Sequence, residues 1–195
     1  MILYLDTATS DRWIFPRRGI PAPDDSEPHM VRLGWLLEDE TSKTASEACH
    51  LIRLPPGLRM AGEAAHHTGI YDHALSERGM EMFNVLSEFA EALGKASLVV
   101  AHSWQFHKQV LERSFRYVGM PAREWPETAC AMIKATDIVQ IPKQAPGGGY
   151  RWPAYTDCCL RFGLSAERLH DPIEDGVGRV RNVRVFWSNI CRAAA

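Results

Sequence analysis

Apolar residues recur along this chain in two different spacings, which predict separate strands and helices. Short continuous apolar runs are typical of strands covered on both faces of a sheet, and they occur at residues 1–5 and 98–101. Residues 31–37 and 48–54 predict two further strands. The polar stretch at 38–44 predicts a hairpin connection between these two further strands. Residues 16–29 are rich in Pro, Gly, Asp and Ser and predict a surface loop.

Helical spacing of apolar residues begins around residue 80. The segment 80–93 carries it most fully, and Gly94 predicts the end of that helix. Further helices are predicted at 106–117, at 153–162 and from 175 onward. Residues 129–139 fit either a short strand or a helix. The three consecutive glycines within 144–150 predict a mobile loop.

Strands that come first, followed by alternating strands and helices, predict one α/β domain spanning 1–195. Its expected architecture is a mixed central β-sheet flanked by α-helices. The chain is long enough to bury a substantial core, and no repeat or internal linker divides it. Its 46% hydrophobic and 24% charged residues are an ordinary globular composition.

The charge and cysteine content exclude some classes of protein. A formal net charge of −2 argues against a protein that coats nucleic acid by charge alone, but not against an enzyme that grips a few nucleotides. No apolar stretch reaches membrane-spanning length and no signal-peptide pattern is present, so no membrane partner is expected. The five cysteines lack metal-ligand spacing, and Cys158 and Cys159 are expected to be buried free thiols. These features predict a reducing, cytoplasmic location.

Three polar segments stand out because each follows a predicted strand or opens a predicted helix. Asp6 begins the first segment, 6–10, directly after the first predicted strand. The second segment, 101–107, comes at the end of the predicted strand 98–101. The third places His170 five residues before Asp175, at the predicted entry to the last helix. A histidine that takes a proton and carboxylates that hold a metal are the minimal parts of metal-assisted hydrolysis.

The order and spacing of these segments resemble the three motifs of the DnaQ-like (DEDDh-type) 3′–5′ exonucleases, a family of the ribonuclease-H-like superfamily. Two further segments support the resemblance: His-Thr-Gly-Ile at 67–70, and Trp152-Pro153 ahead of a predicted helix. The resemblance spans nearly the whole chain. It implies a ribonuclease-H-like fold and a metal-dependent exonuclease that hydrolyses phosphodiester bonds.

The resemblance also implies a chemistry and a set of site residues. Family members place two divalent cations, Mg²⁺ or Mn²⁺, about 4 Å apart and hold them with four carboxylates, while a histidine deprotonates the attacking water. Asp6 and Asp175 match two of those carboxylates, and His170 matches the general base. The nucleic-acid-binding positions that the resemblance implies are Thr7, Ala8, Thr9, Ile70, Ser103 and Phe106.

The sequence departs from the family at two of its four carboxylate positions. Ala8 stands where motif one has a glutamate, His107 stands where motif two has an aspartate, and Ser103 replaces the usual asparagine. Two Mg²⁺ ions held by two carboxylates would carry uncompensated positive charge. Asp6, Asp175 and His107 offer a mixed nitrogen–oxygen set that suits a single transition metal such as Mn²⁺, Zn²⁺ or Fe²⁺. The alternative is that His107 binds no metal and the site holds none.

Other charged residues near the third motif have local interpretations. Asp171 is expected to accept hydrogen bonds from free backbone N–H groups at the start of the last helix rather than to replace a lost metal ligand. Arg179, Arg181 and Arg184 are expected to form a solvated face of that helix.

These observations lead to two functional hypotheses of different classes. The first is an exonuclease-family protein that engages nucleic acid or nucleotide 3′ ends, with hydrolysis weak or lost. The second is a non-catalytic pseudoenzyme that acts as a protein-interaction module, with a second copy of itself or another protein as partner. A deliberate Glu→Ala change at position 8 of an active enzyme is a third explanation, but it would not account for His107 and Ser103.

Overall fold

A computed structural model of the chain describes residues 1–12, 28–144 and 147–193. Its centre is a five-stranded sheet in the order β3-β2-β1-β4-β5. The strands are β1 (Ile2–Thr9), β2 (Met30–Glu38), β3 (Thr44–Leu51), β4 (Leu98–Ala101) and β5 (Glu127–Cys130). The pairs β1–β2 and β2–β3 are antiparallel, whereas β1–β4 and β4–β5 are parallel. The predicted mixed sheet is confirmed.

Helices lie between and after the strands, and most of them flank the sheet. They are α1 (Gly62–Thr68), α2 (Asp72–Arg78), α3 (Met82–Leu93), α4 (Trp104–Tyr117), α5 (Ala131–Lys134), α6 (Thr136–Val139), α7 (Tyr155–Arg161) and α8 (Pro172–Ala193). A small antiparallel ribbon, β6 (Ile141–Pro142) with β7 (Tyr150–Arg151), precedes α7.

Four predicted segments coincide only in part with the described structure. The ambiguous stretch 129–139 contains the end of β5 followed by the short helices α5 and α6, so both predicted states occur in it. The last helix begins at Pro172, three residues before its predicted start, because proline fits the first turn of a helix. The predicted loop at 16–29 lies outside the described residues except at 28–29. The predicted loop at 144–150 falls between β6 and β7, with 145–146 outside the described residues.

Alternation along β1 decides which side chains reach which face of the sheet. Leu3 and Leu5 pack in a core with α3 and α4, whereas Tyr4 packs on the opposite face against Val180 of α8. Because side chains alternate along a strand, Asp6 follows Tyr4 onto the face that α8 covers. The sheet thereby brings the first strand and the last helix of the chain together.

Two sequence-based expectations concern burial and membranes. Cys158 and Cys159 of α7 are buried free thiols, as predicted. Within the described residues, no helix has both the length and the apolar character needed to cross a bilayer.

Candidate functional site

Residues of the first two polar segments line one cleft, with a volume of about 600 Å³, at the carboxyl ends of β1 and β4, and Asp175 of the third segment joins them. These strands are parallel neighbours, and Leu5 of β1 pairs with Ala101, the last residue of β4. The part of β1 beyond Leu5 and the residues that follow β4 therefore lie at the same edge of the sheet, which is where α/β proteins commonly place their sites. Helix α8 and the loop at 165–169 form the rest of the wall.

Arg32 lies between the two carboxylates that match the exonuclease motifs. Its Nη2 atom is 3.2 Å from Oδ2 of Asp6, and its Nη1 atom is 2.9 Å from Oδ2 of Asp175. Nη1 also donates to the carbonyl oxygen of Pro172 at 2.9 Å. The Arg32 side chain is only 3% exposed, so its charge is almost fully removed from water. The guanidinium thus joins β2, β1 and the start of α8 in one buried ion-pair network.

Sequence reasoning missed Arg32, although the sequence holds a signal for it. Arg32 interrupts the apolar run of β2, a strand that is buried along its whole length. A charged side chain in such a strand requires an opposite charge nearby, because an unpaired buried charge is strongly unfavourable. The signal indicates that a partner exists, but it does not identify Asp6 and Asp175.

Arg179 supplies a second guanidinium to the cleft. Its Nε atom donates to Oδ2 of Asp6 at 3.0 Å, and its Cζ atom lies 4.1 Å from the centre of the Tyr155 ring. Nδ2 of Asn182 in turn donates to the Tyr155 hydroxyl at 2.8 Å. The prediction that Arg179 belongs to a solvated helix face is therefore wrong, because α8 turns this side chain toward β1. Arg181, two residues further along α8, is exposed and pairs with Glu47.

The ionisation of Asp6 follows from these neighbours. Burial alone would raise the pKa of its carboxyl group, because desolvation disfavours the charged form. The positive charges of Arg179 and Arg32 outweigh burial and lower that pKa to about 2. Asp6 is consequently a carboxylate at neutral pH, and its charge is matched by guanidiniums.

His107 connects α4 to β1 and to the residue after β4. The backbone N–H of Thr7 donates to His107 Nδ1 at 3.2 Å, which leaves Nε2 as the protonated nitrogen. Nε2–H donates to the carbonyl oxygen of His102 at 2.7 Å, and the Thr7 hydroxyl lies 2.9 Å from Nδ1. Burial lowers the pKa of His107, so the ring is neutral. Both ring nitrogens are used within the fold.

The turn between β4 and α4 carries two further features of the cleft. Ser103 has a φ of 66° and a ψ of 54°, a left-handed conformation that is uncommon for a residue other than glycine. Asparagine tolerates this conformation better than serine, which fits the usual asparagine at this position in the resembled family. Burial lowers the pKa of His102 to about 4, and the nearby His107 and Arg179 act in the same direction. His102 is therefore also neutral.

The side chains of the cleft do not fit the metal site that the exonuclease resemblance implies. Oδ1 of Asp175 accepts from the backbone N–H of Leu169 at 3.1 Å, and its other oxygen accepts from Arg32. Asp6 is paired with two guanidiniums, His107 has no free ring nitrogen, and Ala8 supplies no oxygen. Across the described ranges, no group of three or more His, Cys, Asp or Glu side chains is placed to hold a metal ion. Asp6, Asp175 and His107 thus neighbour one another without forming a set of metal ligands.

The predicted nucleic-acid-binding residues are distributed between the cleft and the core. Lining residues of the cleft include Thr7, Ala8, Thr9, Ser103 and Phe106. Ile70 is fully buried and packs with Ala8 and Val31 in an apolar cluster beneath this wall. It offers no exposed surface to a ligand in this structure.

His170 lies apart from the cleft. Its side chain is exposed and lines a neighbouring depression together with Arg78 and Asp171. Arg168 and Leu169 border both spaces and separate them, and Arg168 also donates a hydrogen bond to the carbonyl oxygen of His66. The structure therefore does not bring His170 to Asp6 and Asp175.

Asp171 performs the local role that the sequence predicts. Its Oδ1 atom accepts from the backbone N–H groups of Ile173 at 2.8 Å and Glu174 at 3.2 Å, in the first turn of α8. It also pairs with Arg78 of α2, and this hydrogen bond contributes most to a pKa of about 2 for its carboxyl group. Asp171 is thus a capping residue outside the cleft.

Solved structures with the same fold come from exonucleases. Escherichia coli exonuclease I in complex with a dT13 oligonucleotide matches with a TM-score of 0.72 and 9% identity over 99% of this chain. Its complex with dA16 matches with a TM-score of 0.73 and 10% identity over 98%. The nuclease domain of 3′hExo, a DEDDh family member bound to rAMP, matches with a TM-score of 0.64 and 11% identity over 98%. The chain has the ribonuclease-H-like fold of the DnaQ-like exonucleases.

This chain covers a smaller share of exonuclease I than of the 3′hExo nuclease domain. The chain spans 42% and 40% of the two exonuclease I chains, but 90% of the 3′hExo nuclease domain. No family model matches the sequence, and no curated protein is similar enough to match it. The chain therefore shares the fold of these exonucleases at 9–11% sequence identity.

Proposed function

We propose that this protein binds the 3′ ends of nucleic acid or of nucleotides in the cleft, and that hydrolysis of phosphodiester bonds there is weak or lost. The observation that carries the proposal is the pairing of Arg32 with both Asp6 and Asp175. By the exonuclease resemblance, these carboxylates would hold cations that act on the scissile phosphate. In this protein they hold a guanidinium that belongs to the chain itself.

Binding is supported by the fold and by the composition of the cleft. Three of the structural neighbours are complexes with an oligonucleotide or with rAMP. The cleft of this chain combines partly exposed apolar side chains, Phe106 and Leu169, with hydroxyl groups of Thr7 and Ser103. Such a mixture suits a ligand that has an aromatic base on one side and a sugar–phosphate on the other.

Loss of hydrolysis is supported by the bonds that the expected catalytic groups already make. Asp6 and Asp175 are engaged by guanidinium groups, and both nitrogens of His107 are engaged by the fold. His170, the residue that matches the general base, is exposed beyond the wall formed by Arg168 and Leu169. The groups that would activate a water molecule are thus not assembled around one point.

A pair of labelled oligonucleotides tests this proposal. A 5′-fluorescein-labelled single-stranded oligonucleotide is compared with an internally labelled circle of the same sequence, which has no 3′ end. Fluorescence anisotropy measures binding, and denaturing gels measure shortening in EDTA, Mg²⁺ or Mn²⁺. We expect the linear molecule to bind at least about tenfold more tightly, a difference of about 1.4 kcal/mol, and to remain intact in every buffer.

Each alternative outcome has a definite meaning. Equal affinity for the circle and the linear molecule would contradict recognition of 3′ ends. Rapid shortening in Mg²⁺ or Mn²⁺ would contradict the loss of hydrolysis. Absence of binding to DNA and RNA of either form would favour the protein-interaction hypothesis, and sedimentation analysis of the same sample would report whether the chain associates with itself.

A further inference from the structure

We propose that the guanidinium of Arg179 binds a phosphate group of the ligand directly and that this contact requires no divalent cation. The inference rests on the proposed function, because it assigns a phosphate-binding group to the same cleft. It concerns a residue for which the exonuclease motifs provide no role.

The charges of the cleft are balanced without a metal ion. Asp6, Asp175 and Glu167 contribute three negative charges to the cleft, and Arg32, Arg168 and Arg179 contribute three positive charges. His102 and His107 are neutral. A divalent cation that entered between the carboxylates would have to displace a buried guanidinium and would meet its repulsion. The cation that faces the ligand must therefore come from the protein.

Arg32 cannot be that group, because both of its terminal nitrogens donate within the fold and its Nε atom is buried without a partner. Nη1 donates to Asp175 and to the Pro172 carbonyl, and Nη2 donates to Asp6. Its side chain is almost completely buried. Arg32 therefore neutralises the two carboxylates from a buried position. Another residue must contact the ligand.

Arg179 still has donors that face the cleft. A guanidinium has five N–H donors, and the structure shows Nε of Arg179 donating to Asp6. Among the described residues, no acceptor bonds its Nη1 or Nη2 atom, and neither atom is enclosed without a partner. The side chain is 32% exposed and lines the cleft. Its two terminal nitrogens form the edge that guanidinium groups use to bind phosphate with two parallel hydrogen bonds.

The same guanidinium is held in place before any ligand binds. Asp6 fixes its Nε edge, the Tyr155 ring supports its flat face, and Asn182 fixes Tyr155 through the phenolic hydroxyl. An arginine that is already ordered loses less conformational entropy when it binds a ligand. This support distinguishes Arg179 from a surface arginine that meets a phosphate by chance.

The neighbouring arginines of α8 provide a comparison within one helix. Arg181 donates from Nε and Nη2 to the two carboxylate oxygens of Glu47. Arg184 donates from Nε to Glu38 and from Nη2 to the carbonyl oxygen of Ser42. Neither side chain lines the cleft. Arg181 is also exposed, so Arg181→Gln is a matched control for Arg179→Gln.

The test measures binding of AMP and adenosine by calorimetry, and of the linear oligonucleotide by anisotropy, in EDTA and in Mg²⁺. We expect wild-type affinities in the two buffers to agree within about twofold, and AMP to bind at least about tenfold more tightly than adenosine. Arg179→Gln should abolish the preference for AMP and weaken oligonucleotide binding by about tenfold, whereas Arg181→Gln should bind as the wild type does. Arg179→Lys keeps the charge without the two parallel bonds and should bind with intermediate affinity.

Several results would overturn the inference. Unchanged AMP binding in Arg179→Gln would remove Arg179 from phosphate recognition, and loss of wild-type binding in EDTA would show that a metal is required. If circular dichroism shows that Arg179→Gln is unfolded, Arg179→Lys decides, and wild-type affinity in that variant would count against the two-bond contact.

The inference and the proposed function fail in different ways. If the wild type binds linear oligonucleotides and Arg179→Gln does so equally well, the inference alone is wrong. If AMP binds through Arg179 but linear and circular oligonucleotides bind equally, recognition of 3′ ends is wrong and the phosphate site stands. If neither AMP nor an oligonucleotide binds, both are wrong.

Discussion

Gly176 of α8 lies directly against the side chain of Arg32. A Cβ atom added at Gly176 would stand 2.9 Å from Cδ of Arg32 and 3.0 Å from its Nε, and it would also collide with Sγ of Cys49. Both neighbours are buried, and Arg32 is anchored by two carboxylates, so it cannot move away freely. The absence of a side chain at Gly176 is therefore what lets the guanidinium pass the last helix and reach Asp175.

The first prediction concerns this contact. Gly176→Ala should lower the free energy of unfolding by about 1–3 kcal/mol, because a methyl group is forced into a packed site. Gly178→Ala is the matched control in the same helix, since its nearest neighbour, Cδ1 of Leu169, would be 3.8 Å away. That control should stabilise the protein by up to about 1 kcal/mol through helix propensity. Urea denaturation of both variants measures the difference, and equal effects would contradict the proposed clash.

The second prediction concerns Arg32 itself. Arg32→Met removes the positive charge that Asp6 and Asp175 share, so two buried carboxylates lose a partner. The free energy of unfolding should fall by about 3–5 kcal/mol, the range for breaking a buried ion pair. Mn²⁺ should restore part of that loss in the variant but leave the wild type unchanged, because in the wild type the Arg32 guanidinium lies between the two carboxylates.

Denaturation curves with and without Mn²⁺ measure this second effect. A similar shift in the wild type and in Arg32→Met would show that the ion binds elsewhere. Arg32→Lys is the milder comparison, since it keeps a positive charge but cannot contact both carboxylates in the same fork geometry.

The third prediction concerns pH. The pKa of His102 is about 4 and that of His107 is also lowered, because burial disfavours the charged ring. From the ordinary histidine value of 6.5 down to about 4, the unfolded chain binds protons that the folded chain excludes. Stability should therefore be fully present above pH 6.5 and decrease as the pH falls, by up to about 1.4 kcal/mol per pH unit for each histidine.

Chemical denaturation at a series of pH values checks the third prediction. His102→Gln removes one of the two titrating rings, so the slope of stability against pH should decrease. His67→Gln is the control, because His67 is exposed at the end of α1. A slope in His102→Gln equal to that of the wild type would assign the pH dependence to other groups.

The fourth prediction concerns recovery of hydrolysis. Introducing both missing carboxylates with Ala8→Glu and His107→Asp should not by itself produce Mg²⁺-dependent shortening of an oligonucleotide. Arg32 would still be paired with Asp6 and Asp175. The Ala8 side chain belongs to the same apolar cluster as Ile70, and His107 of α4 accepts a hydrogen bond from the backbone N–H of Thr7. The double variant should instead be less stable than the wild type by at least about 2 kcal/mol, because a carboxylate enters an apolar cluster and a buried hydrogen-bonded ring is lost.

Gel assays of the double variant, with and without Arg32→Met, check the fourth prediction. Shortening in Mg²⁺ by the double variant alone would mean that Arg32 is displaced easily and that only the ligands had been lost. Appearance of activity only when Arg32 is also replaced would identify the guanidinium as the obstacle.

Local patterns in the sequence predicted local features well. The apolar run that ends at Asp6 predicted β1, and the position of Asp171 before an apolar helix predicted its capping bonds. Both depend on residues within a few positions of each other. The order of strands and helices predicted a mixed sheet, and the ribonuclease-H-like fold was implied by the resemblance of the three motifs to those of the DnaQ-like exonucleases.

The charge network could not be predicted in the same way, because its members are far apart in the chain. Arg32 is separated from Asp175 by 143 positions, and Arg179 is separated from Asp6 by 173. Their meeting depends on the pairing of β1 with β2 and on the side of the sheet that α8 covers. The placement of His170 likewise depends on the path of the loop at 165–169, which no spacing rule determines.

A cation that is covalently part of the chain does not exchange with solvent. Pairing of β2 with β1 places the Arg32 guanidinium beside Asp6 and Asp175. Neither a chelator nor dilution can remove this charge. Neutralisation of the two carboxylates is thereby coupled to folding instead of to the supply of free metal ions. The Arg32 guanidinium is therefore paired with both carboxylates as soon as the chain is folded.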